Sequence, residues 1–130
     1  MMSTSTPENI IDGTYVSDDE QFTLIITNSD YQTGNFTGTF TSINSPLGSI
    51  TYNAILGRYN FVGTHHYPCQ LGFSVNVRHS PDWTYDQSDY WCGSRTSDGS
   101  LLMSGSRAYV NGEGVYQVFS FDQVKFKQIA

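Results

Sequence analysis

The alternation of residue types between Gly34 and Ser42 constrains the fold of this chain more than any other feature. Phe36, Gly38 and Phe40 alternate with asparagine and threonine. A period of two residues is typical of a half-buried β-strand rather than of a helix. The segment therefore predicts a strand with one inward face, and we expect the side that carries Phe40 and Ser42 to line a pocket.

The composition favours strands along the rest of the chain as well. Aromatic residues make up 15% of the 130 residues, and 12 residues are glycine. Aromatic residues favour strands, and glycines favour tight turns. The length is that of one domain, which can bury a core without a disulfide or a metal. We predict an all-β protein with a disordered tail over residues 1–9 and a single domain over residues 10–130.

Eight extended segments, separated by turn-forming residues, are predicted as strands. They cover residues 12–16, 22–27, 34–42, 49–61, 71–77, 84–95, 101–110 and 114–127. Consecutive antiparallel strands with short links favour an up-and-down eight-stranded β-barrel, because closure removes exposed strand edges. A sandwich of two sheets is the alternative.

The charge and the hydropathy of the chain make several kinds of partner unfavourable. The net charge is -6, which repels nucleic acid and anionic membrane surfaces. No apolar run is long enough to span a membrane, and no signal peptide is visible. We therefore expect neither nucleic acid nor membrane as a partner, and a cytoplasmic location, or secretion if a leader has been removed.

The residues that carry chemistry do not form a recognisable catalytic or metal motif. The spacing of His65, His66, Cys69 and His79 resembles no closed zinc motif, so we expect no metal and no cofactor. No nucleophile and base are placed together by a motif, so an enzyme is not expected. In a hairpin, Cys69 should lie opposite about Arg95 rather than Cys92, which predicts no disulfide unless the register slips.

Three segments in order resemble the avidin and streptavidin family of biotin-binding barrels. They are Asp12-Gly13-Thr14-Tyr15, then Phe36-Thr37-Gly38-Thr39-Phe40 followed by Leu56-Gly57-Arg58-Tyr59, then Leu71-Gly72-Phe73-Ser74-Val75-Asn76-Val77 with Trp91-Cys92-Gly93 after it. The resemblance covers residues 11 to about 127. It implies an avidin-like barrel that binds biotin or another small polar ligand and assembles as a homodimer or homotetramer.

The same resemblance implies which positions hold the ligand. In the family, polar side chains hold the ureido group and the sulfur of biotin, and several tryptophans enclose its body. The positions that match, together with the inward residues discussed next, form a predicted site of Ser17, Gln21, Phe40, Ser42, Asp89, Trp91, Arg107 and Asp122, with Ser88 in place of Asp89 if the register slips.

Departures from the family's pattern predict weakened or altered biotin binding. Phe40 replaces a hydrogen-bonding tyrosine, Val77 and Arg107 replace two tryptophans, and no tryptophan is present near Gly114. Each lost ring would bury on the order of 150–250 Å² and contribute several kcal/mol through that burial. Tight biotin binding is therefore not expected.

Strand alternation independently places several polar side chains inside the barrel. The expected inward residues are Asp89, Trp91, Met103, Arg107, Ser120 and Asp122. Two interpretations remain open. In one, Arg107 and an acid form a structural salt bridge that plugs the barrel. In the other, these side chains form a polar pocket with Trp91 as a flat wall.

The last strand and the stretch before Trp91 suggest further roles. The alternation places Phe119 and Phe121 outside the barrel, which predicts a homodimer or homotetramer through this strand. The alternative is an inverted alternation, in which Asp122 lies on the surface. The aromatic and acidic residues 82–91 make a carbohydrate-binding lectin an alternative to ligand binding, with Trp83 as a stacking surface. A third alternative is an oligomeric structural or interaction protein with a plugged barrel.

Overall fold

The structure, a computed structural model, describes residues 11–61, 69–77 and 84–130. The predicted tail, His65, His66, His79 and Trp83 lie outside these residues. The strands are β1 Gly13–Ser17, β2 Phe22–Asp30, β3 Asn35–Ser42, β4 Ile50–Tyr52, β5 Leu56–Phe61, β6 Cys69–Val77, β7 Tyr85–Arg95, β8 Leu101–Asn111 and β9 Tyr116–Gln128. The described ranges contain no helix, and so none that could cross a membrane. The all-β prediction is confirmed.

The strands close into an up-and-down antiparallel barrel, as the short links predicted. The order around the sheet is β2-β1-β9-β8-β7-β6-β5-β3, and β2 pairs with β3 to close the ring. The short β4 also pairs with β3, beside Phe40–Ser42, while β5 pairs with the other end of β3. Strands β4 and β5 thus share one of eight positions around the barrel. A two-sheet sandwich is excluded, because the ring has no free edge.

The expected strand over residues 49–61 is interrupted at residues 53–55. Tyr52 and Ile55 are both buried, although an uninterrupted strand would place residues three apart on opposite faces. The chain therefore leaves the ladder between them, and Ile55 donates its N–H to the Gly38 carbonyl at 3.2 Å.

The inward faces of the strands form one hydrophobic core. Tyr15, Leu24, Phe36, Phe40, Leu71 and Phe126 are among its fully buried members. The inward face of Gly34–Ser42 is as predicted, with Phe36, Phe40 and Ser42 all buried. The Tyr15 hydroxyl donates to the Ile11 carbonyl at 2.6 Å, which satisfies its polar end inside the core.

The predicted orientation of β9 is wrong at Phe121 and Asp122. Asp122 is exposed, whereas the Phe121 ring is stacked on Trp91 inside the barrel, with centroids 5.2 Å apart and planes at 5°. Phe119 is half-buried and stacks on Phe121, and Ser120 is exposed. The inward face of β9 at residues 119–122 therefore carries Phe119 and Phe121, and not Ser120 and Asp122.

A β-bulge explains this inversion. Met103 pairs with Val124, but Gly105 pairs with Phe121, so β9 has one residue more than β8 between these pairs. Ser104 Oγ bonds to both β9 residues that lie between these pairs, because it donates to Asp122 at 3.2 Å and accepts from the Gln123 N–H at 3.1 Å. One inserted residue reverses the inward and outward faces of the strand beyond it.

The cysteine prediction is confirmed. Cys69 pairs with Arg95 across β6 and β7, and the two cysteines are free, with Cys69 buried and Cys92 exposed. Burial raises the pKa of the Cys69 thiol. Cys92 is therefore the accessible thiol of the described pair.

The packing of Phe36 against Gly57 generates a stability prediction. A Cβ atom on Gly57 would lie 2.1–2.5 Å from three Phe36 ring atoms. We expect Gly57→Ala to lower the free energy of unfolding by about 1–3 kcal/mol, because the ring must move within a packed core. Urea denaturation measures the loss. Gly112→Ala is the control, since its nearest contact would be 3.6 Å, and an equal loss in both variants would contradict the prediction.

Candidate functional site

A buried ion pair lies at the centre of the predicted site. Asp89 on β7 and Arg107 on β8 are direct cross-strand neighbours. Arg107 Nε and Nη2 donate to the two carboxylate oxygens of Asp89, each at 2.8 Å. The two side chains are almost wholly buried. This paired geometry is the strongest form of an arginine–carboxylate contact.

The pair is also tied to the surrounding chain. Arg107 Nη1 donates to the Asn44 carbonyl at 3.3 Å, and Trp91 Nε1 donates to Asp89 Oδ2 at 3.3 Å. The guanidinium carbon lies 5.2 Å from the centroid of the Phe121 ring, within the range of a cation–π contact. The salt bridge that one interpretation of the sequence expected is therefore present.

An aromatic cluster fills the barrel beside this pair. The Phe22 ring centroid lies 5.1 Å from that of Trp91, 5.1 Å from Phe121 and 5.7 Å from Phe40. Phe22 is on β2 and Trp91 is on β7, which lie opposite each other in the ring of strands. Side chains from opposite walls thus meet, and the lumen at this level is occupied by protein.

The structure places the residues of the predicted site in three different environments. Ser17, Phe40, Ser42, Asp89, Trp91 and Arg107 are buried, Gln21 is half-buried and Asp122 is exposed on the outer face. Asp122 therefore does not belong to an interior site, because the bulge turns it outward. Since Trp91 is only 2% exposed, it also offers no stacking surface for the glycan of the lectin alternative.

The polar members of the buried set are engaged in local contacts. Ser17 Oγ donates to Asp19 at 2.7 Å and accepts from the Phe22 N–H at 2.9 Å, so it holds the turn between β1 and β2. Ser42 Oγ donates to the Asn44 carbonyl at 3.3 Å. These contacts anchor the rim of the barrel.

A cavity of about 350 Å³ lies at the mouth of the barrel. Of the predicted site residues it contains only Arg107. Its other walls are the loop after β3, with Asn44, Ser45 and Pro46, and the first half of β9, with Gln117, Phe119 and Phe121. Sequence reasoning missed the β9 residues because the bulge inverted the strand, although the two phenylalanines were themselves a signal for an inward face.

Two buried tyrosines have strongly perturbed ionisation. Burial raises the pKa of Tyr52 to about 12, opposed in part by the hydrogen bond from Gln87. Burial likewise raises the pKa of Tyr15 to about 12. Both phenols are therefore neutral at physiological pH.

Among the described residues, no three His, Cys, Asp or Glu side chains form a group that could hold a metal ion.

Substitutions at the ion pair can separate the cost of an unpaired buried charge from the net contribution of the pair to stability. We expect Arg107→Met to lower the free energy of unfolding by about 3–5 kcal/mol, because it leaves the Asp89 charge buried without a partner. The double variant Arg107→Met/Asp89→Leu should recover most of that loss. Urea denaturation of both variants measures the difference. A double variant as unstable as the single one would show that the unpaired charge is not the cause.

The tyrosines generate a prediction about alkaline pH. A pKa of about 12 in the folded state against the ordinary 10 means that folding favours the neutral phenol. This stabilisation is complete below pH 10 and is lost as the pH rises through 12. We expect the melting temperature to fall across this range, and less so in Tyr15→Phe and Tyr52→Phe. Tyr116→Phe, at a position 76% exposed, is the control and should follow the parent.

Comparison with models of known protein families finds no match, and comparison with curated proteins finds none either.

Proposed function

We propose that this chain is a non-enzymatic protein that binds a small, neutral, polar ligand at the mouth of the barrel. In this proposal the ligand lies against Arg107, Phe119 and Phe121, and biotin binds weakly or not at all. The observation that carries the proposal is the combination of a filled lumen with a cavity of about 350 Å³ directly above it. A volume of roughly 300–1,000 Å³ is usual for small-molecule sites.

The walls of the mouth cavity suit a flat ligand with hydrogen-bonding edges. Phe119 and Phe121 are stacked, with centroids 6.4 Å apart and planes at 15°. Rings in this arrangement offer apolar contact to a heterocycle or a sugar. Gln117, Asn44 and Ser45 supply amide and hydroxyl groups at the edge.

The electrostatics of the mouth favour a neutral ligand over an anion. Asp89 already neutralises Arg107 through two hydrogen bonds. Three of the five N–H groups of a guanidinium are used by Asp89 and Asn44. The group therefore acts as a hydrogen-bond donor to a carbonyl or hydroxyl oxygen rather than as an unpaired positive charge.

The interior also supports a weakened preference for biotin. A ligand as deep as the family's biotin would have to displace Phe22 and Phe121 from Trp91, whose rings are 5.1 and 5.2 Å from it. Displacing a packed aromatic side chain costs roughly 3–5 kcal/mol, judged from substitutions to alanine. That cost would be subtracted from any binding energy.

A titration followed by nuclear magnetic resonance tests the proposed site. The probes are biotin, the cyclic urea 2-imidazolidinone and N-acetylglucosamine, each to millimolar concentration. We expect at least one neutral probe to shift the amide signals of residues 44–46 and 117–121, and biotin to bind no tighter than micromolar. Sub-micromolar biotin binding, or shifts confined to Ser17 and Ser42, would contradict the mouth site.

A matched pair of variants on β9 sharpens the test. Phe119→Ala removes a wall of the cavity and should weaken binding of the responding probe by at least about tenfold. Val118→Ala is the control, because Val118 is the neighbouring residue on the outer face and is 74% exposed. Equal weakening in the two variants would contradict binding at the mouth.

The filled lumen favours a second candidate function, an interaction protein whose barrel is only a scaffold. An aromatic cluster joined to a fully paired ion pair stabilises the barrel without any ligand. This candidate gains support if none of the probes shifts the amide signals or raises the melting temperature. A ligand that binds the folded protein would raise the melting temperature.

A further inference from the structure

We propose that the end of the barrel opposite the mouth, which we call the far end, holds a small oxyanion of the phosphate or carboxylate class. The site consists of Arg95 on β7, Tyr59 on β5 and Ser29 on β2. None of these residues lines the mouth cavity. The proposal is therefore independent of the ligand proposed for the mouth.

The register of β7 places Arg95 inside the far end. Arg95 lies six residues beyond Asp89 on the same strand, which is about 20 Å from the ion pair at the mouth. It pairs directly with Cys69 on β6 and with Leu101 on β8, and both neighbours are fully buried. Residues paired directly across strands lie on the same face of the sheet. The Arg95 side chain therefore points into the barrel.

Arg95 differs from the arginine at the mouth because it has no carboxylate partner. Within the described ranges it forms no ion pair, and its Nε–H is buried without an acceptor. Arg107 instead donates its Nε–H to Asp89 at 2.8 Å. The Arg95 guanidinium does contact the Tyr15 hydroxyl, whose pKa it lowers against the larger effect of burial. Since Arg95 as a whole is only half-buried, an ion from solvent can reach it and accept from the unpaired donor.

Two buried hydroxyl groups at the far end also lack partners. Tyr59 and Ser29 are each 4% exposed, and neither hydroxyl has a hydrogen-bond partner. Burial raises the pKa of Tyr59, and the Ser29 hydroxyl opposes that shift, so the two groups are neighbours. Two hydroxyl donors and a guanidinium form the hydrogen-bonding complement of an oxyanion.

Cys69 connects the hydroxyl groups with the guanidinium. It lies directly across from Arg95 and is fully buried. Burial raises the pKa of its thiol, and the charge of Arg95 opposes that rise. Cys69 also contributes to the raised pKa of Tyr59, after the effects of burial and of Ser29. Because one side chain is within electrostatic reach of both groups, the unpaired donors face one common region of the far end.

A carboxylate at the same end limits how tightly an anion can bind. Asp12 Oδ1 accepts from the Ser29 N–H at 3.0 Å. Its negative charge contributes to the raised pKa of Tyr59, which burial chiefly causes. It is not within ion-pair distance of Arg95. Asp12 therefore does not replace the missing partner of Arg95, but it repels a second anion, so we expect millimolar binding.

A titration of the full chain followed by nuclear magnetic resonance tests the site. The probes are inorganic phosphate, acetate and chloride at constant ionic strength. We expect phosphate or acetate to shift the Arg95 Nε–H signal and the amide signals of Ser29 and Tyr59 to saturation, and chloride to leave them in place. The readout is these signals rather than the melting temperature, because phosphate stabilises many proteins by exclusion from their surface. An Arg95 Nε–H signal that responds to neither oxyanion, as when the far end holds only water, or that responds equally to chloride, would overturn the proposal.

Matched variants separate the site from the general effect of each substitution. Tyr59→Phe keeps the ring and removes the hydroxyl, and should weaken binding of the responding anion by about tenfold. Tyr31→Phe is its control, because Tyr31 is 45% exposed. Arg95→Met should abolish binding, whereas Arg58→Met removes the same charge from an exposed position on β5 and should not. Circular dichroism shows that each variant is folded. Equal effects within either pair of variants would overturn the site.

A third substitution tests the sign of the bound charge. Asp12→Asn keeps the Oδ1 acceptor for the Ser29 N–H and removes the negative charge. The responding anion should then bind at least about twofold more tightly, because a repulsion is removed. Unchanged or weaker binding in Asp12→Asn would contradict an anion at the far end.

Discussion

The buried contact between Asp89 and Arg107 is the interaction on which the interior of this barrel depends. Two charges removed from water are stabilised only when their geometry is good and their remaining hydrogen-bonding groups are satisfied. Two hydrogen bonds of 2.8 Å, with further donors and acceptors from Trp91 and Asn44, meet that requirement. The contact also fixes the register of β7 against β8, because a slip of one residue would move one charge to the outer face and leave the other unpaired.

The aromatic cluster and the ion pair form one unit that fills the lumen beside the mouth cavity. Phe121 lies between Trp91 and the guanidinium, so it contributes both to the packing of the lumen and to the wall of the mouth cavity. A ligand in the lumen would have to disrupt the cluster, whereas a ligand at the mouth can use it as a rigid floor. The proposed small-molecule site therefore lies at the mouth, where the loop after β3 meets β9.

The sequence was sufficient for the parts of the fold that follow an uninterrupted alternation. The inward residues of β3, β7 and β8, including Phe40, Asp89 and Arg107, were predicted from that alternation. It failed on β9, because a bulge adds one residue without a marker in the sequence, and every residue beyond it changes face. The apolar character of Phe119 and Phe121 indicates the correct orientation, against the alternation that places Asp122 inside. The mouth cavity could not be predicted, since it depends on how a loop packs over that strand.

The bulge at Asp122 and Gln123 determines which residues of β9 line the barrel and which lie on its outer face. Without the inserted residue, Asp122 would point into the barrel, as the alternation from Phe126 through Val124 implies, and Phe121 would point out. With it, Phe121 completes the aromatic cluster and Asp122 becomes an exposed acid beside Ser104. A carboxylate that would otherwise lie in the lumen is thus moved to the outer face of the barrel. One local change in backbone register therefore accounts for both the filled interior and the aromatic mouth of this barrel.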